Sequence, residues 1–332
     1  MAHTLKDSVV VITGASSGIG RATAIDFAQR GATVVLASRR GRALRDLAAE
    51  IEAQGGKALP VPTDVTSFDE VQRLADTTVR ELGRVDVWVN NAAVMSFGRF
   101  EDTPMDVIRR IIDTNVFGVI HGAKAVLPVF RRQGSGTLVT ISSLAGRAPQ
   151  PHAAPYVASK HAVRALGMNL RQELMLDGAD DIHAVTILPA TIDTPLFGHV
   201  ANYTGRKIKA PAPVYAAEAV VDKIREGIEK HDPEIFVGNA SRTANLFMKL
   251  MPGQTERAAT ALVKLQEDAD SNVPPTAGNL FTPSEETPRV SGGWKQESPS
   301  VARKLAVIGM AAAAIPLGRR VLDRLQEPRT QA

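Results

Sequence analysis

No cysteine occurs anywhere in the 332 residues. That excludes a disulfide framework and any thiolate metal site. Histidine does not fill the gap: His121, His152, His161 and His199 are scattered without ligand spacing, so no metal is expected. The opening stretch MAHTLKDSVVVITG lacks a long apolar core behind a basic region, so no secretory signal is read and a cytoplasmic location is expected. Charge of one sign is scarce too. Formal net charge is +4, and residues 301–332, with six basic and two acidic side chains, account for the whole surplus. The rest of the chain is formally neutral, and no basic face suited to nucleic acid is expected. With 44% hydrophobic and 22% charged residues, what remains is an ordinary soluble composition, long enough for one large domain with an extension or for two modest domains.

What is present centres on residues 143–160, SLAGRAPQPHAAPYVASK. Tyr156 enters a helical pattern continued by Ala162, Val163, Ala165 and Leu166, and Lys160 follows it by four positions. Residues four apart share a helix face. An ammonium beside a phenol favours the phenolate: at about 4 Å and an effective dielectric near 20 the attraction is roughly 4 kcal/mol. That is about three pKa units, enough to bring a phenol of pKa ~10 into general acid–base range. Ser143 is placed to hydrogen-bond the same substrate oxygen.

The rest of the chain supplies a frame for this pair. Val9 to Ile12 is an apolar run of buried-strand type, followed by the turn TGASSGIG at 13–20 and a helical pattern through Ala22, Ile25, Phe27 and Ala28. Strand, glycine turn and helix in that order make a phosphate cradle, with Gly14 for the tight turn, Gly18 for close approach and Gly20 for helix–strand packing. A second strand, Thr33–Ala37, ends in Ser38-Arg39-Arg40, where a preference for NAD would call for an acid. Two guanidiniums favour a 2′-phosphate instead, with Arg39 as the main contact, Ser38 adding a hydroxyl and Arg40 facing solvent. Asp64, after a third strand at Leu59–Val61, reads either as an adenine contact or as a cap for the following helix. A fourth strand, Val85–Val89, delivers Asn90-Asn91-Ala92-Ala93. Pro104 opens a long helix whose apolar face contains Asn115, a buried amide that must be paired. Strands at Thr137–Ile141, His183–Leu188 and Ile235–Val237 follow. Strands alternating with helices at this spacing predict a parallel, doubly wound sheet.

Taken together, TGASSGIG at 13–20, NNAA at 90–93, Asn115, Ser143 with Tyr156 and Lys160, and the turn Pro189 to Thr194 make residues 6–240 resemble the short-chain dehydrogenase/reductase family. The resemblance implies a Rossmann-type α/β fold of about seven parallel strands with helices on both faces. It implies hydride transfer between a nicotinamide and a carbonyl or secondary alcohol. Tyr156 would be the acid or base, Ser143 would polarise the carbonyl, Lys160 would hold the nicotinamide ribose and lower the Tyr156 pKa, and Asn115 would position a relay water. The cofactor, expected to be NADP(H), would lie along Gly14, Ser16, Ser17, Gly18, Ile19 and Gly20. It would meet Ser38, Arg39 and Arg40 at the 2′-phosphate and Asp64 and Val65 at adenine. Asn91, Ala92, Tyr156, Lys160, Pro189, Ile192 and Thr194 complete the expected contacts. Two departures stand out: NNAA replaces the usual NNAG, and Ala190 stands where a glycine is usual. The resemblance also suggests a homodimer or homotetramer through helices around 104–130 and 156–176.

Specificity is expected in the loops Val94–Phe97, Leu144–Ala154 and Leu196–Lys209 with Phe197 and Tyr203. Their apolar, weakly charged character suits a steroid, aromatic or lipid-derived carbonyl, or else a lid that packs on itself. The expected domain division is a catalytic domain over 1–255, a Pro/Ser/Gly-rich irregular linker or surface arm over 256–300, and a basic and apolar tail over 301–332. In that tail, Leu305–Gly318 would span about 21 Å as a helix, short of a hydrocarbon core near 30 Å. Peripheral membrane contact, docking on protein and disorder all stay open for it. The rival functions are a non-catalytic dinucleotide-binding regulator and a membrane-surface scaffold.

Overall fold

The computed structural model describes residues 5–268, 270–284, 286 and 288–297; the tail 301–332 lies outside them. Seven strands form one parallel sheet: β1 Val9–Thr13, β2 Thr33–Ser38, β3 Lys57–Pro62, β4 Val87–Asn90, β5 Gly136–Ile141, β6 Ile182–Pro189 and β7 Glu234–Val237. Their order is β7-β6-β5-β4-β1-β2-β3. Register is set by like residues: Val10 lies between Val34 and Val87, and Ile12 between Leu36 and Val89. The order reverses between β1 and β4, which leaves a crevice beyond their carboxyl ends where ligands bind in sheets of this kind.

Alternation along each strand divides the core in two. Val10, Ile12, Val34 and Leu36 face a layer made by α1 (Gly18–Gln29), α2 (Gly41–Ala53) and α7 (Glu218–Lys230), through Phe27, Leu44, Leu47 and Ile224. Val9, Val11, Val35 and Trp88 face α3 (Phe68–Leu82), α5 (Gly118–Gln133) and α6 (Ala154–Leu176), through Leu74, Val126, Phe130 and Leu174. Local signals set the ends of these helices. Ser67 caps α3 by accepting from the Glu70 amide, and Gly83 ends it in the left-handed region at φ 80.

The helix opened by Pro104 is interrupted. After α4 (Met105–Ile112) the chain makes a π turn over Asp113–Phe117 before continuing as α5. Such turns widen a helix by one residue and gather at functional sites; this one carries Asn115.

The stretch expected to be irregular from residue 256 is not so throughout. Helices α8 (Asn239–Leu250) and α9 (Pro252–Gln266) run on past the last strand. Beyond them the chain hugs the surface as an arm. Thr276 bridges to Asn202, and Leu280 is fully buried beside Val94, Val107, Ile111 and Ala201. Among the described residues no helix is long and apolar enough to cross a membrane.

Candidate active site

Backbone geometry at the β1–α1 turn makes room for a ligand. Gly14 has φ +67, and a Cβ there would stand 2.9 Å from the Ala92 Cα. At Gly20 a Cβ would come within 2.4 Å of the Gly14 carbonyl oxygen, so the helix closes on the strand only without a side chain. Thr13, the first residue of the glycine motif, holds the facing strand: its Oγ1 accepts from the Asn91 and Ala92 amides at 3.0 and 3.1 Å. Asn91 Nδ2 donates to the Thr13 carbonyl at 2.8 Å. Asn91, one residue past the end of β4, thus ties β4 to β1.

Ser143 follows β5, and the first turns of α6 bring Tyr156 and Lys160 to it, both buried. Ser142 and Ser159 fasten these parts. Ser142 Oγ donates to the Lys160 carbonyl at 3.0 Å and Ser159 Oγ to the Tyr156 carbonyl at 2.7 Å. Burial pushes the Tyr156 phenol up to about 12, with a hydrogen bond from Ser143 acting the other way. Burial brings the Lys160 ammonium down to about 8. The expected depression of Tyr156 by Lys160 is thus not the dominant influence here. Lys160 Nζ donates to the Ile141 carbonyl at 2.9 Å and lies 5.6 Å from the phenol ring centroid, close to the ring but committed to the strand end.

Asn115 is fully engaged. Its Oδ1 accepts from the Val94 amide at 2.8 Å, and its Nδ2 donates to the Val94 carbonyl at 2.9 Å and to Ser159 Oγ at 3.0 Å. With both N–H groups used, the side chain has no donor left for a relay water. What it does is hold the Val94 loop against the serine that caps the Tyr156 carbonyl.

At the other end of the crevice two expectations change. Asp64 does not cap α3, because Ser67 does. Its carboxylate accepts from the Thr66 amide at 3.0 Å and pairs with Arg110 at 3.0 Å. Burial alone would raise its pKa, but the bonds from Thr66 and Arg110 outweigh that and hold it below the usual carboxylate range. Arg40 does not face solvent. Its Nε and Nη2 donate to Ser16 Oγ and the Ser16 carbonyl at 3.2 and 3.1 Å, and its Nη1 to the carbonyls of Ser284 and Glu286 at 3.3 Å. Arg39 is likewise engaged, with the carbonyls of Asn279, Leu280 and Phe281 at 2.7 to 3.1 Å. Burial lowers the pKa of both guanidiniums from the ordinary arginine value. Ser38 Oγ accepts the Arg40 amide at 3.1 Å. Apart from Ser16, the partners of these arginines lie 240 or more positions away, which no local pattern could disclose.

The loop 189–195 shows no penalty for Ala190. Its amide donates to the Val237 carbonyl at 3.1 Å, and it is not among the non-glycine residues with positive φ. Thr191–Ile192 pair with Val214–Tyr215, holding the loop over the crevice.

Most of these parts line one cavity of about 460 Å³; Gly20 and Asn115 are not in its lining and support it from behind. Gly14, Ser16, Ser17, Gly18, Ile19, Ser38, Arg39, Arg40, Asp64 and Val65 border one end, and Ser143, Tyr156 and Lys160 the other, with Asn91, Ala92, Pro189, Ile192 and Thr194 along the walls. Beyond Tyr156 the lining turns apolar, through Met95, Leu144, Leu196 and Phe197. Phe247 of α8, Met251 between the two helices and Val263 of α9 complete that wall. Sequence reading missed these last three, since their spacing is that of any amphipathic helix pair. Tyr203, expected at the pocket, packs instead in the cluster around Leu280.

This crevice, glycine turn and serine–tyrosine–lysine grouping define a dinucleotide-dependent oxidoreductase fold. The model of the short chain dehydrogenase family matches residues 8–203, and the chain belongs to that family. An oxidoreductase of Bacillus subtilis, YxnA, is 34% identical over 271 residues, covering 80% of this chain and 75% of its own. Among solved structures, a short chain dehydrogenase/reductase from Burkholderia phymatum in complex with NAD is 27% identical with TM-score 0.67, over 75% of this chain and 96% of that one. An alcohol dehydrogenase from Thermococcus sibiricus complexed with 5-hydroxy-NADP is 26% identical with TM-score 0.60, over 70% and 96%.

Proposed function

We propose that the protein is an NADP(H)-dependent oxidoreductase that interconverts an apolar ketone or aldehyde and its alcohol. The observation that carries this reading is the meeting, in one cavity, of Ser143 and the buried Tyr156 and Lys160 with an apolar chamber on one side and a glycine cradle on the other. The names of the two solved neighbours, one with NAD and one with an NADP derivative, agree with a nicotinamide dinucleotide but not with a choice between them. The choice of NADP(H) rests on the β2 end, where Arg39 and Arg40 stand and no carboxylate does.

A nicotinamide dinucleotide along the cradle supplies or accepts the hydride. The residues do the rest. A phenol held near 12 stays protonated at neutral pH, which is the form that gives its proton to a carbonyl oxygen during reduction. Ser143 donates a hydrogen bond to the same oxygen and stabilises charge building there. The phenolate left behind is favoured by the Lys160 ammonium, whose Nζ lies 5.6 Å from the ring centroid. Asn115 acts as a positioning residue through Val94 and Ser159. The apolar walls exclude water and select substrates without charge. In this reading the catalytic unit is residues 1–255, with α9 adding to the chamber, and two or four copies associate through the helices around 104–130 and 156–176. The test is reduction of a panel of aromatic, steroid and long-chain carbonyls, with sugar and acid carbonyls as the contrast set. Turnover confined to the sugar or acid members would overturn the apolar assignment.

A further inference from the structure

The arm beyond α9 returns across the crevice and is fastened at both ends. At the near end Thr276 and Asn202 exchange main-chain bonds of 2.8 and 3.0 Å, and Leu280 is sunk in the core. Arg39 then binds the carbonyls of residues 279–281, and Arg40 those of Ser284 and Glu286. Midway, the first amide of α1, Gly18 N, donates to the Arg289 carbonyl at 3.0 Å. At the far end the Asp193 carboxylate accepts three bonds, from Ser291 Oγ at 2.6 Å, the Gly292 amide at 3.0 Å and the Trp294 amide at 2.8 Å. Trp294 Nε1 donates to the Thr194 carbonyl at 3.1 Å, and its ring meets Phe197 edge-on at 6.2 Å. Asn279, Ser284 and Arg289 of the arm border the same cavity as the glycine turn and Tyr156.

We infer that the arm is part of the dinucleotide site: residues 279–284 and 288–294 form its outer wall, and bound dinucleotide leaves only when the far half of the arm lifts. This rests on the dinucleotide reading above. Two features favour a wall over a plug. The closed arm leaves open a cavity of about 460 Å³ that runs from the glycine turn to the apolar chamber, within the range of sites that enclose small molecules. Its two anchors also differ in kind. Leu280 is a core side chain, whereas the Asp193 clasp is a set of hydrogen bonds to residues near the surface. Such bonds open at far lower cost than a core, so the arm hinges beyond residue 280, at the Arg39 end, and opens over the Thr194 end. Arg39 and Arg40 therefore have two tasks, holding the wall and facing the adenosine end of the ligand.

The experiment follows release of NADPH from the full-length protein by stopped-flow fluorescence, with excess NADP⁺ as the chase. The wild type is compared with Ser291→Ala and Trp294→Ala, each of which removes bonds at the far clasp only. The expected result is faster release in both, by about tenfold, the effect of losing one or two hydrogen bonds, together with weaker binding at equilibrium. Trypsin cleavage after the exposed Arg289 gives a readout that needs no variant, and NADPH should slow it in the wild type. Release within twofold of wild type, or tighter binding in the variants as expected of a plug, overturns the wall, as does unprotected Arg289. A wild type that binds neither NADPH nor NADH sinks the dinucleotide reading and the wall together, an outcome distinct from unchanged release.

Discussion

The two ends of the crevice are built differently. At the Tyr156 end the fasteners join β5, α6, the π turn and the loop after β4: Ser142 to Lys160, Ser159 to Tyr156, Asn115 to Val94. At the β2 end Arg39 and Arg40 are held by a segment 240 or more positions away. The first end is a rigid device on core elements. The second is assembled from the glycine turn on one side and a hinged arm on the other. On the proposed reading, chemistry that depends on ångström placement sits on core elements, and exchange of a large ligand sits where the arm opens.

The largest effect expected from breaking this contrast is at Tyr156. Tyr156→Phe keeps the ring and removes the transferable proton, so turnover should fall by about 10²–10⁴-fold. NADPH titration by fluorescence should be nearly unchanged, because the arm end is untouched. Wild-type-like turnover would remove Tyr156 from the chemistry.

Next in size is Leu280→Ala, which attacks the arm where it is core. Truncating a fully buried leucine costs about 2–5 kcal/mol, and urea unfolding measures it. A loss below about 0.5 kcal/mol, the level of an ordinary surface substitution, would show that the arm is not anchored there.

Lys160 gives a pH signature at the rigid end. Its folded pKa, about 8, lies below the free value of 10.5. The folded state thus carries the full burial penalty below pH 8, and the unfolded chain binds more protons between about 8 and 10.5. Stability of the wild type relative to Lys160→Met should therefore rise with pH across that window and level off above it, by at most about 3 kcal/mol. Chemical unfolding at pH 7 and pH 10 measures the difference. A gap that does not change with pH would contradict the buried, charged lysine.

How much of this was legible follows the same division. The seven strands, the glycine turn and the Tyr156–Lys160 spacing are short-range patterns, and the structure shows each of them. Asn115 was marked as a buried amide needing partners. Its partners, Val94 and Ser159, come together only through the π turn, which has no sequence signal of its own. Arg40, expected to face solvent, is engaged by Ser16, Ser284 and Glu286, which are adjacent to it only in the fold. Asp64 was balanced between adenine and helix cap, and Arg110, 46 positions on, settled its pairing. The apolar wall from α8 and α9 was lost in the same way, since Phe247, Met251 and Val263 face the cavity only once the helices pack.

The smallest expected effect is at the adenosine end. Ser38→Asp with Arg39→Ala should invert cofactor preference by about ten- to hundredfold, the worth of one or two charge-assisted bonds of roughly 1.5–3 kcal/mol. The readout is kcat/KM for both cofactors in the wild type and the double variant, and an unaltered ratio would detach the β2 end from cofactor choice.

The account as a whole rests on dinucleotide-dependent carbonyl chemistry at Tyr156. Its most direct measurement is steady-state reduction of one apolar ketone by the full-length protein, with NADPH and NADH run side by side. The account predicts turnover with both cofactors and kcat/KM about ten- to hundredfold higher with NADPH, in line with one or two charge-assisted bonds to the 2′-phosphate. Equal or better use of NADH would contradict the reading of Arg39 and Arg40, and absence of turnover with either cofactor across the apolar panel would contradict the enzyme itself.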